Sequence, residues 1–393
     1  MSAIHECPNC SLGKMEVFHH ANSVPANSCI LLPSYAEALA YPRGDIALGF
    51  CPECSFVSNV SFDGQLTEYS GRYEETQGFS QTFNRFHRQL AVRLIDRYQL
   101  KNKNLLEIGC GKGEFLMLMA ELGNNRGVGF DPGYRDERNT SAFASHVEFV
   151  PDFYSEKYKS YSADFIICKM TLEHISPTRN FMQMVRRAIG QRLDTIVFFQ
   201  VPATTRILRD CAFEDIYFEH CSYFTPGSLA RLFNDCEFEI LAQDSDYNDQ
   251  YLTIEARPVS ATMNPTPAPN DDIALMPNYV ANFPNLYQEK MDYWLERVQR
   301  NLKQKKRVVL WGSGSKGVSF LVSLGLQSEI EFVVDINPHR QGFYMPGTGQ
   351  KIVAAEFLQE YKPDLIIVMN SIYKTEIQSH LKEMNLDPEI ACL

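Results

Sequence analysis

The chain has 393 residues, 45% hydrophobic and 22% charged, which is a globular rather than a disordered composition. At about 150 residues per domain it holds two or three domains. Its net charge of −11 argues against a dedicated nucleic-acid binder, which needs a basic face. No apolar run approaches the roughly 18 residues that cross a bilayer, so no membrane partner is expected. The start MSAIHECPNC lacks the basic and apolar regions of a signal peptide, so a cytoplasmic location is expected.

Residues 1–70 carry paired cysteines, many turn residues and little helical periodicity. Cys7-Pro-Asn-Cys10 and Cys51-Pro-Glu-Cys54 are two CxxC knuckles. Two residues between thiolates let both sulfurs reach one tetrahedral zinc, and four sulfurs close the shell, so the expected zinc is structural. The knuckles stand farther apart than in a compact zinc ribbon, which requires the intervening segment to form its own hairpin. A redox pair would start a helix in a βαβ unit, and neither pair does. His5, His19 and His20 are possible ligands that four cysteines make unnecessary. Cys29, Cys110, Cys168, Cys211, Cys221, Cys236 and Cys392 read as small buried or incidental residues.

Residues 71–258 alternate helical patterns with short strands that are apolar on both faces: NLLEIG, RGVGFD, ADFIICK and DTIVFFQ. This is the pattern of a parallel sheet covered by helices. The first strand enters a GxGxG turn at Gly109, Gly111 and Gly113, and a helix leaves it. The second strand ends in Asp131, where ribose hydroxyls need an acceptor. An NAD fingerprint makes the same demands. However, Glu114 stands where that pattern wants a small residue, and Glu107 would repel a diphosphate. A cationic sulfonium cofactor with an α-amino group tolerates Glu107. The run Leu105–Leu116 resembles motif I of the class I S-adenosylmethionine-dependent methyltransferases. The resemblance implies that Glu107, Gly109, Gly111 and Gly113 line the methionine and ribose part of S-adenosylmethionine. It further implies that Asp131 binds the ribose, that Asp152 and Phe153 hold the adenine, and that the loop from Met170 to Ile175 faces the methyl group.

After DTIVFFQVP comes Phe213–Phe224, which is aromatic, acidic and histidine-bearing at once. It lies at the carboxyl edge of the sheet, where ligands bind in open α/β folds. His220 suits proton abstraction, a neighbouring carboxylate can orient it, and a tyrosine hydroxyl can support an enolate oxygen. Pro258, Pro265, Pro267 and Pro269 then mark a linker. A helix is predicted from about Tyr279 to Lys303, with Tyr287, Met291, Trp294, Leu295 and Val298 at helical spacing. A second β/α region follows, with strands RVVLWG, IEFVVD and DLIIVMN. Its Gly312-Ser-Gly314-Ser-Lys-Gly317 loop follows GxGxxG, and Asp335 ends the next strand.

These regions together resemble the sugar C-methyltransferase family, whose members methylate C3 of nucleotide-linked 4-keto-deoxysugars. The matching stretches are CPNC with CPEC, LLEIGCGKGEF, TLEHI and IYFEH. The resemblance implies that His220 abstracts the C3 proton with Tyr217 and Glu219 beside it. His174 matches a further active-site histidine, and Tyr73 an aromatic residue of the sugar site. It also implies a C-terminal Rossmann-like domain without a nicotinamide role, either closing over the substrate's nucleotide or purely structural, while the loop read alone would take a dinucleotide. Lys316, near these glycines, reads equally as a diphosphate contact or as a solvated lysine. Glu173 departs from the family pattern and changes the charge beside the substrate. The expected fold is α/β, with two tandem Rossmann-like doubly wound domains and a small N-terminal zinc-binding domain. Its parts are a zinc-binding domain (1–70), a methyltransferase domain (71–258), a linker and connecting helix (259–303) and a C-terminal Rossmann-like domain (304–393). The expected protein is a monomer acting on a small nucleotide-sugar. The alternatives are a methyltransferase acting on carbon or oxygen of a non-sugar natural-product intermediate, or a non-catalytic binding module.

Overall fold

The computed structural model describes residues 5–138, 141–260 and 271–393; Pro265, Pro267 and Pro269 lie outside the described residues. The N-terminal unit contributes β1 (Glu16–Pro25), α1 (Tyr35–Ala40), β2 (Arg43–Phe50) and β3 (Val57–Asn59). β1 and β2 pair antiparallel, so the segment between the cysteine pairs does form its own ribbon, and β3 adds to β2. The central unit holds α2 (Gln81–Tyr98), β4 (Asn104–Ile108), α3 (Glu114–Gly123), β5 (Arg126–Phe130), β6 (Val147–Val150), β7 (Phe165–Lys169) and α4 (Thr178–Ile189). It continues with β8 (Ile196–Pro202), α5 (Thr204–Arg209), β9 (Ser222–Tyr223), α6 (Pro226–Asp235), β10 (Phe238–Asp246) and β11 (Tyr251–Pro258). The long helix α7 (Asp271–Lys303) leads to β12 (Val308–Trp311), α8 (Ser315–Ser323), β13 (Phe332–Val334) and β14 (Lys351–Val353). The chain ends with α9 (Leu358–Tyr361), β15 (Leu365–Val368), α10 (Lys374–Glu383) and β16 (Glu389–Cys392).

The central sheet has the order β10-β11-β8-β7-β4-β5-β6, and only β11 runs against the rest. Strand alternation divides its apolar residues between two cores. Leu105, Phe165, Ile167 and Phe198 pack under α2 and α3. Leu106, Ile108, Ile166, Val197 and Phe199 pack under α4 and α6, together with the four paired cysteines. The C-terminal sheet, β14-β13-β12-β15-β16, is wholly parallel. Its alternate residues likewise enter separate cores, Val308 and Leu310 in one, Val309 and Trp311 in the other. The architecture is therefore α/β, with two tandem Rossmann-like doubly wound units and a small N-terminal unit.

Two features depart from the sequence reading. α7 begins at Asp271, ahead of the expected Tyr279, and runs through Pro277 and Pro284. Each proline forfeits one helical hydrogen bond. Burial of Met276 and Phe283, and the Asp272 carboxylate 2.7 Å from Arg231, hold the added turns. The other feature is β9. This two-residue strand follows His220 and pairs with β3, giving the N-terminal sheet the order β1-β2-β3-β9. The cysteine-bearing unit is thereby joined to the segment that carries His220.

Candidate active site

The two cysteine turns close alike. Ser11 N–H donates to the Cys7 carbonyl and Ser55 N–H to the Cys51 carbonyl, with both serines at φ 60°. All four sulfurs meet in one buried cluster, with Cys7–Cys54 and Cys10–Cys51 separations of 3.7 Å. Metal–sulfur bonds of ~2.3 Å in a tetrahedron place the sulfurs about 3.8 Å apart, so the donor set fits a zinc-type ion. The N–H groups of Asn9 Nδ2 and Gly13 lie 3.9 and 3.5 Å from the sulfurs of Cys54 and Cys10, a setting that favours thiolate. Arg179 of α4 and Arg231 of α6 donate to knuckle carbonyls, which docks the cluster on the back of the central sheet.

On the first glycine loop, Gly109 and Gly111 have φ of 69° and 54°. A Cβ would strike the Thr171 side chain at the first and the Glu75 carboxylate at the second. Only bare backbone keeps this end of the cavity open. Gly113 differs: it packs on Phe149 and does not line the cavity. Asp131 accepts from the N–H groups of Gly111 and Gly133 at 2.9 and 2.7 Å. Glu107 is 2% exposed, and its Oε2 has no partner among the described residues. Burial pushes its carboxyl up to about 8. A buried acid with one partnerless oxygen, beside a bare glycine loop, fits the ammonium end of an amino-acid-bearing cofactor. Phe153 borders the cavity, 62% exposed. Asp152 does not, because Lys157, Tyr158 and the Phe153 N–H engage its carboxylate.

His220 is 3% exposed, with its ring centroid 4.0 Å from that of Tyr217 and 4.8 Å from that of His174. Burial holds it well below the usual histidine range, and His174 and Lys316 push the same way. The imidazole is therefore uncharged near neutral pH and able to accept a proton. The carboxylate that faces it is not its sequence neighbour. Glu173 Oε1 lies 3.9 Å from His220 Nε2, and neither Glu173 oxygen has a hydrogen-bond partner among the described residues. Burial pushes Glu173 up to about 8, so near neutrality it is an uncharged acid. Glu219 instead turns to the N-terminal unit. It accepts from Asn27 Nδ2 at 3.0 Å, from the Ser28 N–H at 3.1 Å and from Tyr73 Oη at 2.9 Å, as well as from Ser28 Oγ. His174 Nδ1 lies 2.9 Å from Tyr69 Oη and 3.1 Å from the Glu219 carbonyl. Tyr69, Asn27 and Ser28 escaped the sequence reading. Of the three, only the aromatic Tyr69, four residues before Tyr73, carried a visible signal.

One cavity of about 660 Å³ runs from the first glycine loop, past Tyr73, His174 and His220, to Gly312 and Gly314 of the second. Asp335 is already engaged by Ser313 and by the Asn337 N–H. Lys316 is ion-paired to Asp215, which Arg206 also holds at 2.9 Å. The lysine is therefore ion-paired rather than free. Ser28 Oγ, whose hydrogen goes to Glu219, accepts from Ser315 Oγ at 2.7 Å, so the N-terminal and C-terminal units meet beside Glu219.

A family profile described as a methyltransferase domain matches residues 83–243, and one described as a C-methyltransferase C-terminal domain matches residues 268–387. The chain is 26% identical over 315 residues to the C-methyltransferase NovU of Streptomyces niveus, covering 75% of this chain and 73% of that protein. These matches show an S-adenosylmethionine-dependent methyltransferase of the C-methyltransferase type. It is also 30% identical over 175 residues to a tRNA U34 carboxymethyltransferase of Campylobacter hominis, covering 39% of this chain and 58% of that protein. Among solved structures, magnesium protoporphyrin IX methyltransferase from Synechocystis is 12% identical with a TM-score of 0.36, covering 45% of this chain and 84% of that one. No helix among the described residues is long and apolar enough to cross a membrane.

Proposed function

We propose that this C-methyltransferase methylates C3 of a nucleotide-linked 4-keto-deoxysugar through an enolate that His220 generates. The carrying observation is the shared cavity, in which an uncharged, buried histidine stands between the two glycine loops. The proton on C3, α to the ketone, passes to the His220 imidazole, and its electron pair enters the enolate. Tyr217, whose ring centroid lies 4.0 Å from that of His220 at a 43° tilt, would donate to the developing oxyanion. Glu219 acts through Tyr73, Asn27 and Ser28 as a positioning residue. Bound S-adenosylmethionine supplies an electrophilic methyl group to the enolate carbon. Glu107, Gly109 and Gly111 would hold its amino-acid and ribose parts, with Asp131 on the ribose and Phe153 at the adenine. The nucleotide of the substrate would lie toward Gly312 and Gly314. The four cysteines would hold one structural zinc, whose closed shell keeps the N-terminal unit docked.

The test is turnover with S-adenosylmethionine and a panel of TDP-, GDP- and CDP-linked 4-keto-deoxysugars. We expect one preferred nucleotide and a methyl group on C3. His220→Asn should lower kcat on the order of 10³-fold while S-adenosylhomocysteine affinity stays within about 3-fold. Methylation on oxygen, or near-normal turnover in His220→Asn, refutes the assignment.

A further inference from the structure

The central sheet ends in three polar residues on one face. Glu107, Lys169 and Gln200 each continue the alternation of Leu105, Ile167 and Phe198, so all three point to the side covered by α2 and α3. Lys169 and Gln200 are register partners across β7 and β8. All three line the cavity at its first-glycine-loop end, and all are buried.

Lys169 has an unusual setting for an ammonium. Its Nζ lies 3.0 Å from His87 Nε2 on α2 and 3.9 Å from the ring centroid of Phe115 on α3. No carboxylate comes within 4.0 Å of it among the described residues. Burial lowers Lys169 to about 8 and drives His87 to about 2, so His87 is a neutral acceptor. Gln200 Nε2 is buried with no partner among the described residues, and so is Glu107 Oε2. A buried cation and a buried amide donor without anionic partners are costly unless a ligand supplies them. Here two donors stand side by side on β8 and β7, and one acceptor follows on the next strand, β4, on the same face.

We propose that Lys169 and Gln200 bind the α-carboxylate of the methionine moiety of S-adenosylmethionine, opposite the α-ammonium at Glu107, with His87 as the positioning residue for Lys169. The site rests on the methyl-donor chemistry of the chain and deepens it. It selects cofactors that carry an α-amino acid over nucleosides that do not.

The test compares two ligands by calorimetry on the zinc-loaded full chain: S-adenosylhomocysteine, and 5′-methylthioadenosine, which lacks the amino-acid end. Lys169→Met keeps the volume and removes the charge. A charge-assisted bond in a buried site is worth enough that S-adenosylhomocysteine should bind on the order of 10- to 100-fold more weakly. 5′-Methylthioadenosine affinity should change less than about 3-fold. Gln200→Glu, which sets a carboxylate against the ligand's own, should show the same selective loss and covers the case in which Lys169→Met does not fold. Equal losses for both ligands, or unchanged S-adenosylhomocysteine affinity in either folded variant, overturn the proposal. A wild type that binds both ligands equally overturns it while leaving the cofactor identity intact. A wild type that binds neither overturns the cofactor assignment as well.

Discussion

Glu173 offers a direct test of the electrostatics around His220. Its carboxyl is buried, without hydrogen-bond partners among the described residues, and held at about 8 against an ordinary 4.5. Between these values the native state keeps a proton that the unfolded state has lost. The stability this group contributes is complete below 4.5 and is lost as pH rises through 8. At about 1.4 kcal/mol per pH unit, integrating between pH 6 and pH 8 gives a loss of about 2 kcal/mol. Glu173→Gln has no titrating group there and escapes that loss. Urea denaturation of both proteins at both pH values, with zinc present, should show the variant gaining about 2 kcal/mol relative to wild type between pH 6 and pH 8. Because the amide mimics an uncharged acid, kcat/KM at neutral pH should fall less than about 5-fold. Parallel pH curves for the two proteins, or a collapse of kcat/KM, would show that Glu173 is ionised beside His220 and refute the reasoning.

Further outcomes follow from the same geometry. His220 lies well below the ordinary 6.5, so the acid limb of kcat/KM should fall below pH 6.5, and a limb above 6.5 would contradict the burial argument. Removing zinc with a chelator should abolish turnover while S-adenosylhomocysteine affinity stays within about 3-fold, because the N-terminal unit supplies Asn27 and Ser28 to Glu219 and, among the described residues, makes no hydrogen bond to the first glycine loop. Metal analysis should count one zinc per chain, and turnover that survives its removal would separate the cluster from the site. Tyr73→Phe deletes one charge-assisted bond to Glu219 while others remain, so kcat should drop about 10-fold at unchanged cofactor affinity, measured by steady-state kinetics and calorimetry.

The parallel strands were legible because burial on both faces leaves an unbroken apolar run, as in Phe165–Cys168 and Leu365–Val368. β10 was not, since its residues are mostly half-buried and polar, without a clear period. The cysteine pairs and glycine loops were legible because their spacing is itself the geometry. Side-chain direction was not. Glu219 adjoins His220 in sequence yet turns to Asn27, Ser28 and Tyr73, whereas Glu173 faces the ring from another loop. Lys316 read as a candidate diphosphate contact because its partner Asp215 lies 101 residues away. Lys169 looked like the end of an apolar strand, and only the register with Gln200 and the approach of His87 give it chemical meaning.

The central claim is that His220 takes the C3 proton of a nucleotide-linked 4-keto-deoxysugar. The most direct measurement incubates that substrate with the protein and S-adenosylhomocysteine in deuterated water and follows C3 by NMR. The account predicts exchange of the C3 proton with wild type and background exchange with His220→Asn. Equal exchange in both proteins, or none in a wild type that still transfers methyl groups, contradicts it.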